Sequence, residues 1–294
     1  MVGSVLRPDS YNRPFMIPPI ANNFVAGEDP STAIEHVTSC NSDGVDGILN
    51  LLGEHYSKRP PADADTQAYI DLIAALAAAD VGGCVSVKPS QIGLDVGVDV
   101  FEENLASIVE AGQQHDRFVW IDMEDHTTTD VTLDAFETHA IGTDGDVGLC
   151  VQANLKRTRE DIERLAELPG KIRFVKGAYD EPAEIAHKSK EAVNTAYKEL
   201  LEFAFREFDD GIAVGSHDPA MIDHAAELHA EYGTDYEVQM LMGVRESAQR
   251  ELAAAGVSTY QYIPYGDKWM SYFYRRLRER KENALFAFRA IVGK

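Results

Sequence analysis

Basic residues are scarce in this chain: 27 Lys and Arg stand against 49 Asp and Glu, for a formal net charge of −22 at pH 7. Acids spread along the whole length repel nucleic acid and anionic lipid from most of the surface, which argues against nucleic-acid binding. The same density suits a protein kept dissolved in a salt-rich cytoplasm, where screening removes self-repulsion, so an acidic, halophilic protein is expected. Cysteine is scarce too. Cys40, Cys84 and Cys150 are an odd number with no C-x-x-C pair, so core thiols in a reducing compartment are expected and a zinc site built on thiolates is not. No apolar run approaches the ~20 residues that a membrane span needs. Residues 1–10 lack the charged-then-apolar pattern of a signal peptide, which leaves the cytoplasm as the expected location. No low-complexity stretch occurs, and no G-x-G-x-x-G follows the first strand-like run, so the usual warrant for a Rossmann site is missing.

What the chain does have is a repeating alternation. With 294 residues, 45% of them hydrophobic, it is long enough for one large core. Short β-branched or apolar runs recur at intervals of roughly 25 to 40 residues, a spacing that accommodates one strand and one helix. They cover residues 46–53, 83–90, 118–125, 147–155, 172–179, 211–218, 236–243 and 259–266. Helical patterns fall between them at 66–79, 100–114, 132–140, 159–168, 182–208, 219–232 and 246–255, with further helices after Asp267. Eight strand-then-helix units predict an α/β fold that closes as a (β/α)8 TIM-type barrel rather than an open doubly wound sheet. Residues 1–30, with Pro8, Pro14, Pro18 and Pro19, are too proline-rich for a regular element and are expected to form an arm. Residues 31–294 then make a single catalytic domain.

In such a barrel the functional groups lie at the C-terminal ends of the strands, where turn residues would otherwise be usual. Here those ends carry Glu54, Lys88, Asp122 with Glu124, Gln152, Lys176 with Tyr179, His217 with Asp218, and Tyr262. Asp122 and Glu124 could pair with Lys88 across the barrel top, and a lone His217 could be a satisfied core histidine. Lys88 and Lys176 each end a β-run, and a buried lysine needs an anionic partner or a depressed pKa. The partner would be an anionic ligand; the neutral amine would be a Schiff-base nucleophile. A metal-dependent hydrolase on Asp122, Glu124, His217 and Asp218 is weaker, because the nearby cations repel a divalent ion and no second histidine stands at ligand spacing. A non-catalytic barrel that binds an anion or a partner protein is a further alternative.

After the last run, Pro264 and Gly266 make a turn and Asp267 is placed to cap a helix. Trp269, Phe273 and Leu277 recur at four-residue spacing as its buried stripe, so Arg275 and Arg276 diverge by about 100° on the open side. Two guanidinium forks on adjacent headings can hold one carboxylate or phosphate. With Lys88, Lys176 and Arg173 they make a cationic cluster in an acidic protein, which implies a small anionic ligand or a phosphate-bearing cofactor.

From about Phe24 onward the chain resembles the flavin-dependent proline dehydrogenase family. The stretches that carry the resemblance are Phe24-Val-Ala-Gly-Glu28, Leu51-Leu-Gly-Glu54, Val85-Ser-Val-Lys-Pro-Ser-Gln91, Asp122-Met-Glu-Asp125, Val151-Gln152, Arg173-Phe-Val-Lys-Gly-Ala-Tyr179, Ser216-His-Asp218, Gln239-Met-Leu-Met-Gly243, Tyr262-Ile-Pro-Tyr-Gly266 and Tyr274-Arg-Arg-Leu277. The resemblance implies a distorted (β/α)8 barrel with its last helix over the mouth, FAD as cofactor, and oxidation of L-proline to 1-pyrroline-5-carboxylate by hydride transfer to flavin N5. It implies that Lys88, Arg275 and Arg276 hold the substrate carboxylate, and that Leu241 and Tyr262, the latter hydrogen-bonded to Asp122, pack its ring. Arg173 would address the flavin near N5. Met123, Gln152 and the Lys176-Gly177-Ala178 backbone would line the isoalloxazine and phosphates, Ser216 and His217 the adenine half, and Glu279 the ribose. Glu54 would pair with Arg275 as a gate. Asn154 stands where the family frequently has tyrosine. A quinone or other acceptor would take the electrons, with peripheral membrane contact and a handover of product to a pyrroline-5-carboxylate dehydrogenase as the associated expectations.

Overall fold

The computed structural model describes residues 21–270 and residue 272. Eight strands, β1 (Asp46–Leu51), β2 (Gly83–Val87), β3 (Val119–Ile121), β4 (Val147–Gln152), β5 (Lys171–Val175), β6 (Ile212–Gly215), β7 (Tyr236–Leu241) and β8 (Ser258–Tyr265), pair in chain order. Every ladder is parallel, and β8 returns to β1 with Tyr262 opposite Ile48 and Tyr265 opposite Leu51, which closes the barrel. Around it lie α1 (Pro30–Ser42), α2 (Arg59–Ala78), α3 (Val98–His115), α4 (Thr129–Thr143), α5 (Thr158–Leu165), α6 (Lys190–Glu207), α7 (Pro219–Tyr232) and α8 (Glu246–Ala254).

Side-chain alternation divides the strands into two faces. Leu49, Val85, Val87, Val119, Ile121, Val147, Leu149, Phe174 and Val214 point outward and pack into one continuous core with the helices. Their interior neighbours form a smaller cluster of Ile48, Cys84, Trp120 and Ala213 flanked by Phe118, Tyr260 and Tyr262. All three cysteines are free thiols. Burial first, and nearby acids second, push the Cys84 thiol up to about 12, so its nucleophilic form is suppressed.

Elements differ from the sequence expectation at several points. α1 was unforeseen because it buries only Ala33 and Val37, too thin an apolar stripe for periodicity to register. α6 begins at Lys190 rather than near Pro182, because Ser189 is the residue whose side chain caps the helix, accepting from Ala192 N at 3.1 Å. Each strand-like run also stops short of its expected C-terminal end: β3 ends at Ile121, one residue before Asp122. Past the last ladder pair the backbone turns, and the charged residues there leave the sheet.

The last ten described residues of the expected arm are stitched to the mouth. Ala26 N donates to Pro264 O and Gly266 N to Gly27 O, both at 2.9 Å. Phe24 and Val25 pack with Leu52, Trp269 and Tyr272. The approach is close enough that a Cβ on Gly243, whose φ is +76°, would lie 1.9 Å from Asn23 O. Arg275, Arg276, Glu279 and most of the final helix lie outside the described residues, as does the expected placement of that helix over the mouth.

Candidate active site

The ends of β2, β3, β5, β7 and β8 converge on one buried polar cluster. Asp122 follows β3 and turns inward, its N–H donating to Val87 O at 2.8 Å. Its Oδ2 accepts from the Tyr262 phenol at 2.7 Å, and its Oδ1 accepts from Ser86 Oγ at 2.9 Å and from Arg173 Nη2. Both carboxylate oxygens are therefore engaged. The Arg173 side chain is 4% exposed. Burial works against its charge, but the Asp122 carboxylate, ahead of Cys150 and Tyr262, more than compensates and holds its pKa above the ordinary arginine value. The guanidinium lies 4.8 Å from the Trp120 ring centre and 5.6 Å from that of Tyr262, a cation held between aromatic faces. Burial, then the Asp122 charge, pushes the Tyr262 phenol well above its usual range, so it remains a donor.

Leu241 stands opposite Tyr262 in the β7–β8 ladder. Its N–H donates to His217 Nε2 at 2.8 Å and its carbonyl accepts from Gln249 Nε2 at 3.1 Å. An Nε2 that accepts from a backbone N–H needs its lone pair, so the His217 proton resides on Nδ1. Lys88, just past β2, faces Glu54 at 3.7 Å. That closes an alternative the sequence left open: neither Asp122 nor Glu124 is the ion-pair partner of Lys88, because Asp122 turns to Arg173 and Glu124 is taken by Ser90 N at 2.6 Å and Ser90 Oγ at 2.7 Å. The expected Glu54–Arg275 gate involves a residue outside the described ones.

A second group lies beside the first, after β4, β5 and β6. Lys176 Nζ donates to Asn194 Oδ1 at 2.7 Å and Asp218 Oδ2 at 2.6 Å. For Asp218, burial pushes upward but the Lys176 hydrogen bond and charge outweigh it, and its pKa lies below the usual value. Both lysines thus face carboxylates instead of the apolar pocket that a Schiff-base amine needs. Gln152 Nε2 donates to Glu124 O at 2.7 Å, and Met123 and Ser216 are buried next to these strand ends, Ser216 Oγ accepting from Asp218 N at 3.2 Å. Gly177 has φ +103°, and a Cβ there would lie 2.0 Å from Asn154 Oδ1. Asn154 Oδ1 is buried and has no hydrogen-bond partner, and the exposed Ala178 follows Gly177 in the chain. Among the described residues no three His, Cys, Asp or Glu side chains are grouped as a metal ion requires.

A cavity of about 1230 Å³ opens at the opposite, N-terminal end of the barrel, lined by loops such as Asp209–Gly211 and Gly256–Ser258. The chemistry belongs at the other end, where the charged side chains converge, in keeping with parallel barrels generally. Sequence reasoning missed Ser86, Trp120, Glu237 and Gln239 as members of the polar interior. Their signal was present: Glu237 and Gln239 are polar at alternate positions of a strand buried on both faces.

The fold and this site define a (β/α)8 barrel with a buried cluster of charged side chains at the C-terminal ends of its strands. The family model for proline dehydrogenase matches residues 33–289. "Proline dehydrogenase 2" of Bacillus subtilis (strain 168) is 34% identical over 279 residues, 93% of this chain and 91% of that protein. "Proline dehydrogenase" of Deinococcus radiodurans is 36% identical over 281 residues, 93% and 90% of the two chains. Among solved structures, proline utilization A (PutA) from Bdellovibrio bacteriovorus, inactivated by N-propargylglycine, superposes with a TM-score of 0.81 at 22% identity over 88% of this chain and 32% of that longer one, a likeness of fold. The chain belongs to the proline dehydrogenase family. It is an oxidoreductase of proline catabolism, and the family implies a flavin cofactor. No described helix is long and apolar enough to cross a membrane.

Proposed function

We propose that the chain oxidises L-proline to 1-pyrroline-5-carboxylate with FAD as its resident cofactor. The observation that carries this is the buried Arg173–Asp122–Tyr262 group, set opposite Leu241 and close to the strand end that bears Lys88. The residues present fit FAD: Gly177 leaves the backbone after β5 without a side chain, and the orphaned Asn154 Oδ1 beside it is an acceptor in want of a donor. When bound, FAD supplies N5 as acceptor for the hydride that leaves the ring carbon next to nitrogen.

The protein's own contribution is orientation and charge. Lys88, with Arg275 and Arg276, holds the proline carboxylate, a charge-assisted clamp that fixes the direction of the scissile C–H. Tyr262 and Leu241, adjacent across the β7–β8 ladder, flank the ring. Asp122 fixes Tyr262 and Arg173 at once, and with both oxygens occupied it orients rather than abstracts a proton. Proline must lose its amine proton to react, and the cationic surroundings of Lys88 and Arg173 favour the neutral amine. Met123, Gln152 and residues 176–178 line the flavin, Ser216 and His217 the adenine half and Glu279 the ribose. A quinone or another carrier takes the electrons at a cytoplasmic or peripherally membrane-bound site, and the product passes to a pyrroline-5-carboxylate dehydrogenase.

The test is the visible spectrum of the purified protein before and after anaerobic addition of L-proline. Flavin bands that bleach on addition establish cofactor, substrate and direction of electron flow together. A protein that stays colourless after incubation with FAD would sink the proposal.

A further inference from the structure

Below the mouth, under Arg173, the barrel interior holds Lys171, Glu237 and Gln239, a file of polar side chains that the proposed chemistry leaves without a task. Lys171 and Arg173 stand two apart on β5, and Glu237 and Gln239 two apart on β7, so all four face the interior. Lys171 Nζ donates to Glu237 Oε2 at 2.6 Å, Gln239 Nε2 donates to Glu237 Oε1 at 2.6 Å, and Arg173 Nη1 donates to Gln239 Oε1 at 3.1 Å. Glu237 and Gln239 are 5% and 3% exposed, so neither can exchange these bonds for water.

The chemistry of the groups sets the order of the file. A carboxylate offers acceptors and a guanidinium only donors. The Gln239 amide between them therefore has one satisfied orientation, NH2 toward Glu237 and carbonyl toward Arg173. Turned over, it would set donor against donor at Arg173 and acceptor against acceptor at Glu237, leaving two bonds unmade in a dry site. Asp122 and Ser86 hold Nη2 of Arg173 from the mouth side. Gln239 holds Nη1 from below, so the plane of the guanidinium is fixed only when both nitrogens are bound.

We infer that Glu237 is a positioning residue for Arg173, acting through the Gln239 amide from below the reaction site. The inference rests on the proposal that Arg173 addresses the flavin. Glu237→Gln removes the acceptor-only partner, frees the Gln239 amide to turn, and lets the guanidinium tilt away from the bound flavin.

The experiment compares flavin-loaded wild type, Glu237→Gln, Gln239→Met and the double variant, reading kcat, KM for L-proline and the flavin midpoint potential. Glu237→Gln is expected to lower kcat about tenfold and leave KM within about twofold; Gln239→Met, which removes no charge, is expected to do the same and to move the potential to a more negative value as Arg173 tilts away, since a positive charge nearby favours the reduced flavin. In the Gln239→Met background Glu237→Gln is expected to lower kcat no further. A merely structural role would give effects that add, or a lower melting temperature with an unmoved potential, and either result overturns the inference. Should Glu237→Gln fail to fold, Gln239→Met alone carries the test, and unchanged potential and kcat in it overturn the inference equally. A wild-type flavin that L-proline does not bleach would defeat the substrate proposal instead, leaving the comparison of potentials in force.

Discussion

Tyr262 and Asp122, 140 residues apart in sequence, share a 2.7 Å hydrogen bond in which the phenol donates to Oδ2. The other carboxylate oxygen takes Ser86 and Arg173, so Asp122 is the hub of the site and has no oxygen left over as a base. Asp122→Asn turns one acceptor into a donor facing either the guanidinium or the phenol. Breaking a buried pair on one side costs about 3–5 kcal/mol, and kcat/KM should fall by on the order of a hundredfold or more. The loss should be the same across the pH range of a kcat profile. A loss that vanished at high pH would show that Asp122 takes the proton after all.

Lys88 stands at the mouth with Glu54 3.7 Å away, held apart from the Asp122 hub. Its proposed task is ground-state attraction of the substrate carboxylate, and a hydrogen bond to a charged group is worth about 1.5–3 kcal/mol. Lys88→Met should therefore raise KM for L-proline by about ten- to a hundredfold and change kcat by less than about threefold. Steady-state kinetics decide it: a fall in kcat at constant KM would move Lys88 into the chemical step.

The barrel was legible in the chain because eight apolar runs recur at intervals long enough for one strand and one helix, and all eight became strands. α1 was not legible, since two buried residues give helix periodicity nothing to work with. The site was half legible. Charged residues at strand ends are conspicuous where turn residues are expected, which is how Lys88, Asp122 and Tyr262 were found. Their pairing was not, because which cation faces which carboxylate depends on barrel closure, and the sequence left open a pairing of Lys88 with the acids that Arg173 and Ser90 hold. Glu237 and Gln239 escaped for a different reason: inside a strand buried on both faces a polar residue looks like an interruption, and only the β5–β7 proximity shows that they complete Arg173.

Gly177 tests the cofactor cradle. At φ +103° a side chain is strained, and its Cβ would meet Asn154 Oδ1 at 2.0 Å. Gly177→Ala should cost about 1–3 kcal/mol of stability from backbone strain and lower the flavin-to-protein ratio after purification. Stability and flavin content are separate readings. A variant that melts lower yet carries full flavin would remove residues 176–178 from the cofactor site.

Glu124 is buried at 2% exposure, and that burial raises its pKa above the usual carboxylate value despite two hydrogen bonds from Ser90. The folded pKa exceeds the unfolded one, so the ionised form is the one that folding disfavours. Below about pH 4.5 this penalty is absent; it grows as pH rises through the folded value and persists above it. Glu124→Gln keeps an acceptor for Ser90 N–H and a donor for Ser90 Oγ without the titration. The melting temperature of wild type should thus decline relative to the variant as pH is raised from 4 to 7. Parallel curves over that range would mean that Glu124 is not strained by burial.

With a net charge of −22, the surface carries far more acid than its cations can neutralise, and ion pairs such as Arg59–Glu103 and Arg164–Asp134 lie among exposed residues. Salt acts on these two features in opposite directions. It weakens exposed pairs, each worth at most about 1 kcal/mol, and it screens repulsion among the unpaired acids. Between 0.01 and 1 M the Debye length contracts from about 30 to about 3 Å, short of the spacing between most neighbouring surface charges. The repulsion runs over the whole surface and the exposed pairs are individually weak, so screening should win. The melting temperature is expected to rise by about 5 °C or more across that range, with activity rising alongside. A melting temperature that is flat or falls with salt would mean that the exposed pairs outweigh the excess acid, and that the charge serves solubility alone.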